Sequence, residues 1–91
     1  MGTRVTFDVE FTPTAFKEIN KIEKSIRPRL FAAIEILREN PRPPTAIRLT
    51  NRSEYRIRVG DYRLIYEILD SKLVILVVRV GHRKNVYEWH N

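Results

Sequence analysis

The strongest constraint on this chain lies between Glu54 and Val80, where the residue pattern runs with a period of two. That period sends successive side chains to opposite faces of a strand. Glu54–Val59, Tyr62–Leu69 and Leu73–Val80, rich in Val, Ile and Tyr, read as three strands. Gly60-Asp61 and Asp70-Ser71 are two-residue turn signals between them, which makes the segment an antiparallel meander. With Gly60-Asp61 closing the first hairpin, Val59 faces Tyr62, Arg58 faces Arg63 and Arg56 faces Ile65. A slip of one residue would exchange the two faces, so this register decides what the sheet can do.

It puts Tyr55, Ile57, Val59, Tyr62, Leu64, Tyr66 and Ile68 on one face, suited to packing against helices. Arg56, Arg58 and Arg63 project together from the other, in company with Ile65, Val74, Leu76 and Val78. Like charges directly opposite on neighbouring strands destabilise a sheet, and arginine cannot relieve them by losing a proton. One reading is a solvated face paired with Glu54 and Glu67. The other is a phosphate site, because the planar guanidinium offers bidentate, directional hydrogen bonds as well as charge. Arg42, Arg48 and Arg52 add to the positive charge, against only Glu54 and Asp61 between positions 42 and 63. The whole chain carries 17 Lys and Arg against 11 Asp and Glu, a net +6 that favours polyanionic partners. A face mixing aliphatic and cationic residues also calls for a cover, either the C-terminal segment or a partner with apolar and acidic residues.

The rest of the chain supplies the other layer. Val5, Phe7, Val9 and Phe11 alternate with Thr6, Asp8 and Glu10, a first strand over 5–11. Thr12-Pro13 is an N-cap followed by a first helical residue, and Phe16, Ile19 and Ile22 follow at helical spacing to about Glu23. Ser25 can cap a second helix that tolerates Pro28 in its first turn, with Ile26, Leu30, Ala33, Ile34 and Leu37 as its apolar stripe. Asn40 before Pro41 ends it, and Pro41 to Pro44 form an extended connection. The expected fold is α+β in a single domain, 1–91: an N-terminal strand, a two-helix hairpin packed on an antiparallel sheet, a three-stranded meander and a short C-terminal helix.

Several chemistries are excluded by what is missing. There is no cysteine, so no disulfide, thiol nucleophile or thiolate zinc site, and two histidines make a structural metal unexpected. Three scattered glycines cannot write a phosphate-binding glycine loop, so no nucleotide cofactor is expected. The longest aliphatic run, Leu73 to Val78, is too short to span a membrane, and no apolar leader precedes the first strand. The expectation is a soluble, cytoplasmic protein without membrane contact. Gly81 to Asn91 mixes cations (Arg83, Lys84), aromatics (Tyr87, Trp89) and imidazoles (His82, His90) just past the last strand, a composition that can stack on unpaired RNA bases. Trp89 fits better as a core anchor.

The string Tyr55-Arg56-Ile57-Arg58-Val59-Gly60-Asp61-Tyr62-Arg63-Leu64-Ile65-Tyr66-Glu67, then Val80-Gly81-His82-Arg83 and Val86-Tyr87, resembles the RelE/ParE toxin superfamily of type II toxin–antitoxin modules. The likeness spans nearly the whole chain, and the RelE branch is favoured. It implies a ribosome-dependent mRNA endonuclease that acts in the A site through 2′-hydroxyl attack, needs no metal and is neutralised by a RelB-like cognate antitoxin. The implied partners are ribosome and mRNA, with operator DNA reached only through the antitoxin. Carried over by position, the catalytic residues are Arg56, Arg58, Arg63, Arg83 and Tyr87. Arg48, Arg52, His82 and Lys84 are the accompanying RNA-binding candidates.

RelE itself carries lysines at the positions of Arg56 and Arg58, and the segment from Gly81 to Tyr87 is shorter here. Arginine is a poor proton carrier, which casts Arg56 and Arg58 as electrostatic clamps on phosphate oxygens. The base is then Tyr87, with His82 behind it. Two alternatives share the motif: a ParE-like DNA gyrase inhibitor, and a catalytically degenerate member that acts only within the antitoxin complex.

Overall fold

The computed structural model describes residues 5–86. In chain order these form β1 (Asp8–Phe11), α1 (Pro13–Lys21), α2 (Arg27–Glu39), β2 (Ile47–Arg48), β3 (Glu54–Val59), β4 (Tyr62–Leu69), β5 (Val74–His82) and α3 (Arg83–Val86). The strands make one five-stranded sheet in the order β1-β5-β4-β3-β2. β1 runs parallel to β5, and the other neighbours are antiparallel. The α+β expectation holds, with the sheet mixed rather than wholly antiparallel.

The first hairpin closes as its turn chemistry requires. Gly60 takes a positive φ of 61°, the left-handed conformation glycine adopts without a steric penalty. Val59 pairs with Tyr62, Arg58 with Arg63 and Arg56 with Ile65. The helix-facing set then joins the core: Ile57, Leu64 and Tyr66 from this hairpin and Ile75, Val77 and Val80 from β5 pack on Ala15, Ile19 and Ile22 and on Leu30, Ile34 and Leu37. Leu49 and Ile65, with Val78 against them, form a second and smaller apolar cluster.

Thr12 is the joint between layers. Its hydroxyl oxygen accepts the Ala15 N–H at 3.1 Å, capping α1, and the same hydroxyl donates to the Val78 carbonyl at 2.9 Å. Its backbone N–H donates to the Val77 carbonyl. Val78 is a β-bulge, because Ile65 faces Arg79 while Tyr66 faces Val77. Glu18 on α1 completes the attachment, accepting from the Arg79 guanidinium at 2.9 Å and from the Val80 N–H at 3.0 Å. At the far end of α1, Arg27 donates to the carbonyls of Ile22 and Asn20, groups that a helix terminus leaves without partners.

Several local expectations give way to packing. The first strand begins at Asp8 rather than Val5, which is exposed, and α1 stops at Lys21. Phe16 is 59% exposed, and Ala15 takes the core position the spacing gave it. Ser25 makes no cap: Ile26 occupies that position, and the turn bonds through the Glu23 and Ile26 carbonyls instead. Asp70-Ser71 is not a two-residue turn. Asp70–Lys72 form a 3-10 turn, Leu73 follows in the left-handed region at φ 54°, and Leu69 pairs with Val74. The two-residue β2 has no alternation to reveal it, and β5 runs on to His82.

The proline-rich connection is held by side chains. The Tyr66 hydroxyl donates to the Pro41 carbonyl at 2.6 Å, Tyr66 stacks on Tyr55, and Arg42 lies over Tyr55 while its guanidinium is bidentate on Asp70. Arg42 holds the Asp70 carboxyl below its usual range. Burial pushes the Tyr66 phenol well above its ordinary value.

Two outcomes are expected. Thr12→Ala lowers unfolding free energy by about 1–2 kcal/mol in urea denaturation, and Thr12→Ser recovers most of it. Because the folded-state phenol of Tyr66 titrates higher than in the unfolded chain, its contribution is complete below about pH 10 and declines as pH rises further. Tyr66→Phe removes that slope and lowers stability at neutral pH by about 1 kcal/mol.

Candidate functional site

The sheet face turned away from α1 and α2 carries the arginine cluster. Arg58 and Arg63 stand directly opposite each other on β3 and β4, and Arg56 lies beside Ile65, with Ile47 of β2 on its other flank. Arg63 is 4% exposed, so a guanidinium is built into the sheet rather than spread over it. Its neighbour on β5 is Gly81, which contributes no side chain. Among the described residues, the only hydrogen bond of the Arg63 side chain is a long one, Nη1 to the Tyr62 carbonyl at 3.4 Å.

The Nε atoms of Arg63 and Arg56 are both buried without a hydrogen-bond partner among the described residues. Among the described residues, the ion pairs go elsewhere: Arg38 with Glu35, Arg42 with Asp70, Arg52 with Glu54 and Arg79 with Glu18. Glu67 accepts from Ser53 and stands opposite Glu54 on the neighbouring strand. A buried donor without an acceptor costs about 1–3 kcal/mol, and a charged one more. Two such donors, one of them on a member of the like-charged Arg58–Arg63 pair, suit an anion with several oxygens such as phosphate.

The remaining sequence candidates fall into three places. Arg83 opens α3, and its backbone N–H donates to the Asp61 carbonyl at 2.8 Å, so it starts from the same end of the sheet as Arg58 and Arg63. Lys84 is exposed beside it. Arg48 and Arg52 sit at the other end of β3. Arg48 shares a register position with Tyr55, on the opposite face from Arg56, and its Nε donates to the Arg52 carbonyl. Both line a shallow surface cavity of about 510 Å³ around Asn51, separate from the arginine cluster. Arg42 is committed to Asp70 and Tyr55.

His82 is opposite Tyr62 and therefore on the helix side, away from Arg63. It lines a cavity of about 500 Å³ with Glu18, Lys21, Tyr62 and Arg79. Tyr87 lies outside the described residues, as do Trp89 and His90. Among the described residues no group of three or more His, Asp or Glu side chains is placed to hold a metal ion. No helix among them is long and apolar enough to cross a membrane.

Sequence reasoning missed how deeply Arg63 is buried, although Gly81 and the aliphatic residues around Ile65 were signals for it. It also missed the Glu18–Arg79 pair, whose partners are distant in sequence and carry no shared motif.

The chain is similar to several known proteins. The family of the ParE toxin of type II toxin–antitoxin systems, parDE, matches residues 9–87. Toxin RelG of Mycobacterium tuberculosis is 31% identical over 87 residues, covering 89% of this chain and 95% of that protein. The mRNA interferase toxin RelE of Escherichia coli K12 is 28% identical over 82 residues, 88% of this chain and 86% of that one. The toxin in the crystal structure of the intact E. coli RelBE toxin–antitoxin complex superposes with a TM-score of 0.76 at 28% identity, covering 84% of this chain and 95% of that one. This chain belongs to the ParE toxin family of type II toxin–antitoxin systems, within the RelE/ParE superfamily.

Proposed function

We propose that this toxin is a ribosome-dependent mRNA endonuclease, held silent by a cognate antitoxin that covers the arginine face. The observation that carries the proposal is the clustering on one sheet face of buried Arg63, half-buried Arg56 and exposed Arg58, with the Nε atoms of Arg56 and Arg63 left without a partner among the described residues. The interferase name of the E. coli RelE relative supports it.

In the proposed step the 2′-oxygen of the RNA attacks the adjacent phosphorus. The 2′-O–P bond forms, the P–O5′ bond breaks, the hydroxyl proton passes to a base and the departing 5′-oxygen acquires one. Negative charge grows on the non-bridging oxygens, where fixed guanidiniums stabilise the transition state more than the ground state. Arg56, Arg58 and Arg63 supply that field, Arg83 approaches from the end of the sheet, and Tyr87 is the base that the family resemblance supplies. His82, on the far face from Arg63, is not placed to serve as the base at this cluster.

The antitoxin reading follows from the same face. Ile47, half-exposed beside Arg56, suits an apolar segment that also brings carboxylates to the arginines. A second reading, inhibition of DNA gyrase, is favoured by the ParE family match and by the arginines at the two positions where RelE has lysines.

Induction of the wild type with mapping of mRNA ends is expected to give clustered in-frame cuts in translated messages and none in free RNA. Arg63→Ala, Arg83→Ala and Tyr87→Phe each reduce cleavage, by roughly 10²–10³-fold for an arginine. Intact ribosome-bound mRNA together with stalled, cleaved DNA in a supercoiling assay would transfer the assignment to gyrase. Arg63→Met removes the buried unpaired charge and is expected to raise unfolding free energy by about 1–3 kcal/mol while abolishing cleavage. Inorganic phosphate raises the Tm of the wild type but not of that variant.

A further inference from the structure

His82 is left without a task by the reading above, yet its geometry is specific. It is the last residue of β5, and its ring meets Tyr62 edge-on, with centroids 5.5 Å apart and planes at 78°. Its Nδ1 accepts the backbone N–H of Lys84 at 3.3 Å. Lys84 is the second residue of α3, and its amide is one of those that the start of a helix leaves without an internal acceptor. A side chain just before a helix that accepts from the second amide is doing the work of an N-cap, here through a ring nitrogen.

The amide before it is also fixed. Arg83 N–H donates to the Asp61 carbonyl at 2.8 Å, in the turn that joins the strands carrying Arg58 and Arg63. Two successive amides therefore anchor the start of α3, one to the hairpin turn and one to an imidazole packed on Tyr62. Gly81, the residue before His82, stands directly beside Arg63.

We infer that His82 is a positioning residue: its Nδ1 caps α3, and its ring on Tyr62 holds that cap still, so that Arg83 leaves the sheet on a fixed course beside the arginine cluster. The inference rests on the reading that Arg83 contacts RNA. His82 is not a proton carrier in this assignment. The charged groups around its cavity are Glu18 and Arg79, bonded to each other, and Lys21 and Glu23 at the end of α1.

Two substitutions separate cap from ring. In His82→Asn the side-chain Oδ1 stands the same number of bonds from the backbone as Nδ1 and still accepts, but nothing remains to shuttle a proton. His82→Phe keeps an aromatic ring against Tyr62 and loses the acceptor. Hydrogen exchange of the Lys84 amide, read by NMR in the free protein, is expected to stay slow in the wild type and His82→Asn and to become fast in His82→Phe. Single-turnover cleavage of ribosome-bound mRNA is expected to follow the same order, with His82→Phe down roughly 10–100-fold and His82→Asn within a few-fold of wild type.

An inactive His82→Asn with a protected Lys84 amide would overturn the inference, since the imidazole would then be acting chemically. Equal protection of that amide in all three proteins would overturn it as well. The expected exchange pattern in proteins that cut no mRNA would uphold the cap and instead refute the endonuclease reading.

Discussion

Everything on the candidate functional face depends on the register of the hairpin formed by β3 and β4. Gly60 sets it with a left-handed turn residue, and the Arg29 guanidinium lies 3.3 Å from where a Cβ at that position would sit. Any other L-residue would meet both a disfavoured backbone conformation and a crowded neighbour. Were the pairing shifted by one residue with β4 in place, Arg56 and Arg58 would point into the aliphatic core and Tyr55 and Ile57 away from it. Burial of the apolar face thus enforces the position of the charged one. The stabilising and functional halves of the hairpin are the same constraint seen from opposite sides.

That coupling explains why so much was legible beforehand. A period of two, a Gly-Asp turn and one buried face leave a single register, and the three-arginine face follows from it by counting. The N-cap at Thr12 and the stop at Asn40 were equally local, since each is written in adjacent residues. Elements fixed by distant partners were not readable. The 3-10 turn before Leu73, the bulge at Val78 and the two-residue β2 exist because of what they pack against. Phe16 shows the converse: helical spacing alone does not say which of two neighbouring residues reaches the sheet.

At the candidate site the same division holds. The identity of the clustered arginines was visible, but their lack of carboxylate partners among the described residues was not. It depends on Arg52 having turned to Glu54 and Arg79 to Glu18. His82 was read from its chemistry as a possible base and belongs by geometry to the other face, where the alternation of β5 puts it. Such a site holds charge against the interest of the fold, a familiar bargain between stability and activity.

The position of β5 has a further consequence for how the toxin comes into being. This last strand lies between β1 and β4, pairing with strands made early and late in synthesis; Thr12 and Val78, bonded in the finished protein, are 66 residues apart. Until β5 is made, β1 has no neighbour in the sheet, the bulge that anchors α1 is absent and Arg63 lacks one flank. A growing chain that has not yet reached β5 is therefore an incomplete sheet with an open slot between β1 and β4. For a protein proposed to act on ribosomes, vectorial synthesis itself leaves the arginine face unassembled until residues 74–82 have been made.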